Sequence, residues 1–160
     1  MKKPSQQRLL CAIFLNVFDR EFDVSSMDDR VMLQKAVFFM HELGVSCGAY
    51  TFSWDCYGPF SPDLSDDMKK EVKDNIQVNF SEKAIRVMEK LKNLFGIQSD
   101  YKERYWAEVL ASLYYLKNYM YPTNTDEAIV QKLEIIKSGT LGNHTENCKA
   151  INILNELFAE

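Results

Sequence analysis

The segment between Ser26 and Gly44 constrains the fold more than any other part of this sequence, because its apolar residues surround almost the whole of a helix. One broad apolar face is widened on its flanks, and two further apolar residues lie near the opposite side. The broad face consists of Met32, Ala36, Phe39, Met40 and Leu43, and Leu33 and Val37 flank it. Val31 and Phe38 lie near the opposite side. A helix that is apolar on so many sides is usually buried among several neighbours. The sequence therefore predicts a central helix that Ser26 caps and Gly44 closes.

Capping residues elsewhere in the chain predict a set of helices around the central one. The capping residues are Ser5, Ser61, Ser81, Ser99 or Asp100, Thr125 and Thr145. The helices that they open are predicted over about residues 6–18, 61–74, 81–96, 99–121, 125–139 and 145–158. Apolar spacing predicts that Ile85 and Met120 face the core from two of these helices.

Two short stretches alternate apolar and polar residues, which is the period of a half-buried β-strand. The first contains Tyr50, Phe52 and Trp54, and the second contains Ile76, Val78 and Phe80. Paired with each other, they would form a ribbon that must pack on helices, because two strands alone are marginally stable. The sequence thus predicts a mainly α fold. We expect a single-domain helical bundle over residues 1–160, with a small β-ribbon near residues 50–54 and 76–80 and a helical C-terminal part over residues 81–160.

Charge, the length of apolar stretches and cysteine spacing argue against several classes of protein. The net charge of -4 disfavours a nucleic-acid partner, since phosphate contacts need clustered basic residues. The longest apolar stretch, residues 9–18, has about half of the roughly 20 residues that a membrane-spanning helix needs. None of the four cysteines belongs to a CxxC pair, which argues against a zinc site and against a thioredoxin-like motif. A disulfide framework is not expected in a cytosolic domain of this size. We expect a cytoplasmic protein with free thiols and no membrane partner.

The sequence contains no recognisable catalytic device. A cysteine or serine nucleophile needs a nearby histidine, and the chain has only His41 and His144. One helical turn would bring His144 and Cys148 together, but two ligands do not make a structural zinc site. No set of nucleophile, base and orienting group can be assembled from the sequence. Asp63 and Asp67 share a helical face, yet no glycine-containing loop of alternating ligands surrounds them. We therefore expect no enzyme, no catalytic residue, no metal and no cofactor.

The first candidate binding surface is the corner between the first extended stretch and the helix that follows it. Gly58 permits a positive φ, Pro59 stiffens the turn, and Tyr57 and Phe60 can insert on either side. A stiff loop loses little conformational entropy on binding. The candidate partner-binding residues are Gln34, Lys35, Trp54, Tyr57, Gly58, Pro59, Phe60 and Ser61. The alternative is structural: Trp54 and Phe60 fill the core, and the corner only closes the fold.

The second candidate surface is a stripe of tyrosines on the predicted long helix. It consists of Tyr101, Tyr105, Tyr115 and Tyr119, with Glu108 and Ser112 between them. Packing on another helix, with the hydroxyl groups in water, is the favoured interpretation. Tyrosine is also enriched at protein interfaces, so a partner surface is the functional alternative. Stacking of nucleic-acid bases is a third interpretation, which the acidic balance weakens.

Residues 28–70 resemble a known family. The pattern consists of Leu33-Gln34-Lys35, then Tyr50-x-Phe52-x-Trp54, then the run from Tyr57-Gly58-Pro59 to Asp63-Leu64. It is similar to the core of the Panacea domain, the SocA-like antitoxin family of bacteria, archaea and phages. It is also similar to uncharacterised relatives with an F-S-W-x-x-Y-G-P core. The resemblance implies a mostly helical fold without an established activity. Several family members neutralise toxins that are encoded beside them, and others occur in prophages and defence islands.

Residues and resemblance together predict a non-enzymatic protein-interaction module that is antitoxin-like or associated with a prophage or defence system. Its expected partner is another protein, and the resemblance implies a toxin encoded nearby. A nucleic-acid-associated regulatory protein is the alternative. An unrecognised hydrolase that uses Cys56 or the Asp63/Asp67 pair is less favoured. The sequence indicates no particular oligomeric state.

Overall fold

The computed structural model describes residues 3–159, so that residues 1, 2 and 160 lie outside the described part. Within these residues the chain forms seven α-helices and a ribbon of two paired strands. The helices are α1 (Gln6–Phe18), α2 (Met27–Glu42), α3 (Pro62–Met68), α4 (Glu82–Phe95), α5 (Glu103–Tyr115), α6 (Asp126–Ile136) and α7 (His144–Ala159). The strands are β1 (Ser53–Asp55) and β2 (Gly58–Phe60). The predicted mainly α fold with a small ribbon is confirmed.

The described chain divides into two compact units. The first unit contains residues 3–53 and 60–97, and therefore helices α1 to α4. The second contains residues 54–59, at the tip of the ribbon, and residues 98–159, which include α5 to α7. The single domain over residues 1–160 stays a prediction.

Helix α2 is the centre of the first unit, as its sequence predicts. Every residue from 31 to 40 is buried, and α2 packs against α1, α3 and α4. Aromatic rings connect three of these helices: the ring centroids of Phe18 and Phe95 lie 5.2 Å apart, and those of Phe39 and Phe95 lie 5.9 Å apart. The apolar circumference of α2 is thus explained by neighbours on several sides.

Helix α5 is the centre of the second unit and packs on α6 and α7. Its residues 106–113 are all buried. After Tyr115 the helix continues as a π-helical turn, Leu116–Met120, in which the Tyr121 N–H donates to the Leu116 carbonyl at 2.8 Å. A π turn contains more residues than an α turn and so rotates the following side chains off the apolar stripe. For this reason Met120 is 37 % exposed, which corrects its predicted core position.

Most of the predicted helix starts are confirmed by their capping bonds. The side chains of Ser5, Ser26, Ser61, Ser81 and Thr125 each accept a hydrogen bond from the backbone N–H three residues on. Helices α5 and α7 are the exceptions. Helix α5 begins at Glu103 rather than at residue 99 or 100. Helix α7 begins at His144, before the predicted cap Thr145, and it is the Asn143 side chain that accepts from the Glu146 N–H. The Ser99 hydroxyl is used elsewhere, since it donates to the Glu146 carboxylate and accepts from the Tyr101 N–H.

The strand pairing differs from the prediction. β2, and not residues 76–80, is the partner of β1. Only Cys56 and Tyr57 separate the two strands, and closing so short a loop costs less entropy than closing one of about 20 residues. Residues 76–80 keep the alternation of half-buried and exposed side chains without forming a strand. The Arg8 Nε–H donates to the Ile76 carbonyl at 2.7 Å, so α1 supplies a side-chain partner for this backbone.

One position near the start of α4 differs from its prediction as well. Ile85 is 51 % exposed, whereas Ala84, Val87 and Met88 are buried. Ile85 borders an open groove of about 850 Å³ between α1 and residues 75–80. The rest of the predicted stripe, Met88, Leu91, Leu94 and Phe95, is buried as expected, and Ala84 takes the core position predicted for Ile85.

Candidate interaction surface

The tip of the ribbon lies directly on helix α5. Gly58 has a φ of +88°, whereas neither Cys56 nor Tyr57 has a positive φ, as in a type I turn followed by glycine. A Cβ atom added to Gly58 would collide with Ser112 Oγ. Gly58 and Pro59 are buried. Glycine is therefore required here both by the turn and by the close approach of the ribbon to α5.

The face of α5 beneath the ribbon is the predicted tyrosine stripe without its first member. Its residues recur at spacings of three and four: Tyr105, Glu108, Ser112, Tyr115 and Tyr119. Glu108 and Ser112, in the middle, are 2 % and 0 % exposed. Tyr105 and Tyr115 are half-buried, and Tyr119 is 55 % exposed. The middle of the stripe is thus covered, and its ends remain open to solvent.

Three aromatic rings form a continuous row at one end of the stripe. The centroid of the half-buried Trp54 ring lies 6.0 Å from that of Tyr115, in a tilted arrangement. Tyr115 in turn stacks on Tyr119 with a centroid separation of 5.0 Å and an interplanar angle of 25°. These separations are typical of favourable aromatic pairs. The ribbon and the tyrosine stripe, which the sequence offered as separate candidates, therefore meet in one row of rings.

Two cations connect this row to the other aromatic side chains. The Arg104 guanidinium lies 4.4 Å from the Tyr105 ring centroid and 5.5 Å from that of Tyr57. Lys137 Nζ lies 6.0 Å from the Trp54 ring centroid and 5.9 Å from that of Tyr57. Both cations are within the range of cation–π attraction. We call this set the aromatic surface: Trp54, Tyr57, Arg104, Tyr105, Tyr115, Tyr119 and Lys137.

A carboxylate fixes the position of Lys137. Lys137 Nζ lies 3.5 Å from Glu108 Oε1, and the side chains of the two residues are 13 % and 2 % exposed. A largely buried ion pair holds its partners in a defined geometry. Glu108 thus positions the cation that lies beside both Trp54 and Tyr57.

Three residues of the predicted corner lie below the surface. Gln34, Lys35 and Ser61 are 2 %, 0 % and 0 % exposed. The Gln34 side chain forms two bonds with Ser61: its Nε2 donates to the Ser61 carbonyl at 2.9 Å, and its Oε1 accepts from the Ser61 N–H at 3.0 Å. The Ser61 hydroxyl caps α3 by accepting from the Leu64 N–H. Gln34 and Ser61 therefore hold the start of α3 on α2, inside the first unit.

Two further candidate residues, Phe60 and Tyr101, are not members of the aromatic surface. Phe60 is half-buried and belongs to the first unit. Tyr101 precedes α5, and its hydroxyl donates to Asn147 Oδ1 at 2.8 Å and accepts from the Asn143 N–H at 2.9 Å. Burial raises the pKa of the Tyr101 hydroxyl. This tyrosine connects loops within the second unit.

Arg104 and Lys137 were not among the residues proposed from the sequence. The position of Arg104, next to Tyr105 and three residues after Tyr101, is a signal that the sequence does contain. Lys137 gives no such signal, because it lies at the end of α6, about 80 residues after Trp54 and Tyr57. Only the packing of α6 on α5 brings it to the aromatic rings.

One member of the candidate acidic pair, Asp67, takes part in structural bonds. Asp67 Oδ2 accepts from the Tyr50 hydroxyl at 2.8 Å, and Asp67 Oδ1 lies 3.0 Å from Lys70 Nζ. Partial burial raises the pKa of Asp67, but hydrogen bonds from Lys70 and Tyr50 outweigh it, so that the pKa lies below its usual value. Within residues 3–159, no group of three or more His, Cys, Asp or Glu side chains is arranged to hold a metal ion.

Comparison of the chain with protein-family profiles, with curated proteins and with solved structures found no match. None of the helices formed by the described residues has the length and apolar character needed to cross a membrane.

Proposed function

We propose that this protein is a non-enzymatic interaction module that binds another protein through the aromatic surface. The observation that supports the proposal is the row of rings formed by Trp54, Tyr115 and Tyr119, with Arg104 and Lys137 beside it. Tryptophan, tyrosine and arginine are the residues that most often dominate the binding energy of protein interfaces. A surface that concentrates them and leaves them partly open to solvent suits a protein partner.

The packing of these side chains also favours binding. Aromatic side chains have few rotatable bonds, and each ring of this row already contacts another ring or a cation. A side chain that is held in place before binding loses less conformational entropy in the complex. The exposed area of Tyr119 remains available for a partner.

We further propose an antitoxin-like role, which rests on the resemblance of residues 28–70 to the Panacea domain. The partner is then a toxic protein encoded next to this one. Co-expression tests the role: the neighbouring gene alone should arrest growth, and co-expression of this protein should restore it. The Tyr119→Ala variant should restore growth less well, whereas Tyr114→Ala should act like the wild type. A neighbouring gene that is not toxic, or equal rescue by Tyr119→Ala, would contradict the proposal.

Tyr114 is the matched control because it is a half-buried tyrosine on the same helix. Its ring packs on Phe158 of α7 at 4.5 Å, and it belongs to no contact of the aromatic surface described above. Its replacement removes the same number of atoms as the replacement of Tyr119. Comparison of the two variants therefore separates loss of binding from loss of stability.

A nucleic-acid-associated regulatory role is the second candidate, and the same observation favours it. Aromatic rings beside cations can stack the bases of a single strand while the cations approach its phosphates. A labelled oligothymidylate, followed by fluorescence anisotropy, tests this role. Binding at low salt that weakens as salt rises and is reduced by Tyr119→Ala would support it. No binding at about 50 mM salt would exclude it.

A further inference from the structure

Three polar side chains of the second unit form a connected group outside the aromatic surface. Cys148 Sγ lies 3.5 Å from His144 Nε2, one helical turn away on α7. His144 Nδ1 lies 2.7 Å from Glu134 Oε1, on α6. The sequence places His144 and Cys148 four residues apart but does not reveal Glu134, which only the packing of α6 on α7 brings to the histidine.

The carboxylate of Glu134 is itself held in place. Asn147 Nδ2 donates to Glu134 Oε1 at 3.2 Å and to the Leu141 carbonyl at 2.9 Å. Asn147 is 0 % exposed, and its Oδ1 accepts from the Tyr101 hydroxyl. A buried and fully bonded asparagine keeps the carboxylate in one position, as the supporting residues of catalytic groups do.

The order of these contacts determines where the proton of the imidazole lies. The Glu134 carboxylate only accepts, so the proton is on His144 Nδ1 and Nε2 is left as an acceptor facing the Cys148 S–H. A nucleophile next to a base that a third group orients is the arrangement by which proteins activate a thiol. We propose that Cys148, His144 and Glu134 form a reactive-thiol site that takes low-molecular-weight disulfides.

The exchange reaction needs no further reactant. His144 Nε2 takes the proton of Cys148, and the thiolate attacks one sulfur of the disulfide RSSR. A bond forms between Cys148 Sγ and that sulfur, the S–S bond of RSSR breaks, and the released RS⁻ takes the proton from His144 Nε2 to leave as RSH. Cys148 is oxidised to a mixed disulfide, and one half of RSSR is reduced to a thiol. Glu134 positions the histidine throughout.

The surroundings favour disulfides over acyl substrates. Thiol–disulfide exchange requires only a thiolate and access to it, and Cys148 is half-buried beside a His144 side chain that is 62 % exposed. Acyl transfer also requires N–H donors for an oxyanion. Two N–H groups in the first turn of α7, those of Glu146 and Asn147, are already bonded to Asn143. Small disulfides are therefore the class of reactant that this site suits.

Cys56 provides an internal control in the same molecule. It is exposed, so that access favours it over Cys148. Its backbone N–H donates to Asp55 Oδ1 at 2.7 Å, and within residues 3–159 no histidine contacts its thiol. Exposure alone predicts that Cys56 reacts first, whereas the proposed site predicts that Cys148 does.

The test is the rate of reaction of the full, reduced chain with dithiodipyridine, an uncharged small disulfide. Released thiopyridone gives the total rate, and peptide mass spectrometry assigns it to each cysteine. At pH 6.5 we expect Cys148 to react at least about tenfold faster than Cys56. His144→Ala and Glu134→Gln should lower the Cys148 rate to about that of Cys56, and leave the Cys56 rate unchanged. Near pH 9, where unassisted thiols ionise, the Cys148 and Cys56 rates of the wild type should converge.

Three results would overturn the proposal. The first is a Cys56 rate equal to or above the Cys148 rate at pH 6.5. The second is a Cys148 rate that His144→Ala does not change. The third is a ratio of Cys148 rate to Cys56 rate that is the same at pH 6.5 and near pH 9. Damage to the fold is distinguished by the melting temperature of each variant, measured alongside the rates, and by the buried Cys47, which becomes reactive if the first unit unfolds. If the Glu134→Gln variant exposes Cys47, the Glu134→Asp variant is used in its place. Its Cys148 rate should then lie between the rate of His144→Ala and that of the wild type. A Glu134→Asp protein as slow as His144→Ala would reject a positioning role of Glu134.

Discussion

Replacement of Gly58 by alanine should destabilise the protein strongly, although it adds only one methyl group. Alanine at a φ of +88° loses about 1–2 kcal/mol because its Cβ approaches the following carbonyl. The same Cβ would collide with Ser112 Oγ at a buried position, and overpacking of this kind costs about 1–3 kcal/mol. Together the two terms predict a loss of about 2–5 kcal/mol in the free energy of unfolding.

A second substitution separates the two terms. Within the described residues the buried Ser112 hydroxyl has no hydrogen-bond partner, so Ser112→Ala should be neutral or stabilise by up to about 1 kcal/mol. Once Oγ is absent, the nearest atom to the added Cβ is Ser112 Cβ at 3.5 Å, an ordinary contact. Gly58→Ala in the Ser112→Ala background should then cost only the backbone term. The difference between the two costs measures the collision.

Urea denaturation followed by circular dichroism provides the four free energies of this cycle. Gly139→Ala is the matched control, because a Cβ on Gly139 meets no atom within 4 Å, and its effect should stay within about 1 kcal/mol. The account of the ribbon is refuted if Gly58→Ala costs no more than Gly139→Ala. It is also refuted if Ser112→Ala leaves the cost of Gly58→Ala unchanged.

Two further predictions concern the first unit. Phe39→Ala removes a ring that is 0 % exposed and should lower the free energy of unfolding by about 3–5 kcal/mol in urea titrations. Ile85→Ala changes a 51 % exposed position and should lower it by less than about 1 kcal/mol in the same titrations. Burial lowers the pKa of His41, whose Nε2 accepts from the Cys47 N–H. The unfolded chain therefore binds the proton more readily, and stability should fall as the pH drops below the ordinary histidine value of 6.5. Urea titrations from pH 7.5 to pH 5.5 should show a smaller loss for His41→Gln, and an equal loss would contradict this role.

Helix positions could be predicted from the sequence because their signals are local. A serine or threonine followed by an amphipathic stretch is sufficient to place five of the helix starts. The apolar circumference of α2 likewise predicts burial without knowledge of its neighbours. The π turn after Tyr115 has no comparable signal, and the rotation that it causes exposes Met120.

Strand pairing and side-chain clusters depend on contacts that local patterns do not specify. The alternation of Ile76, Val78 and Phe80 correctly predicts which side chains are half-buried, but alternation does not identify a hydrogen-bonding partner. Trp54 and Tyr57 could be predicted as candidate site residues, since they lie in one aromatic-rich loop. Lys137 and Glu134 could not, because each joins its cluster only through the packing of α6.

The central claim is that the aromatic surface binds a protein partner, and a direct measurement of affinity tests it. Isothermal titration calorimetry would compare the wild type, Tyr119→Ala and Tyr114→Ala against the purified product of the neighbouring gene, with melting temperatures measured in parallel. We predict that Tyr119→Ala weakens binding by at least about 1 kcal/mol, roughly a fivefold rise in Kd, at an unchanged melting temperature, and that Tyr114→Ala binds like the wild type. Equal affinity of a stable Tyr119→Ala protein, or an equal loss in Tyr114→Ala, would contradict the claim.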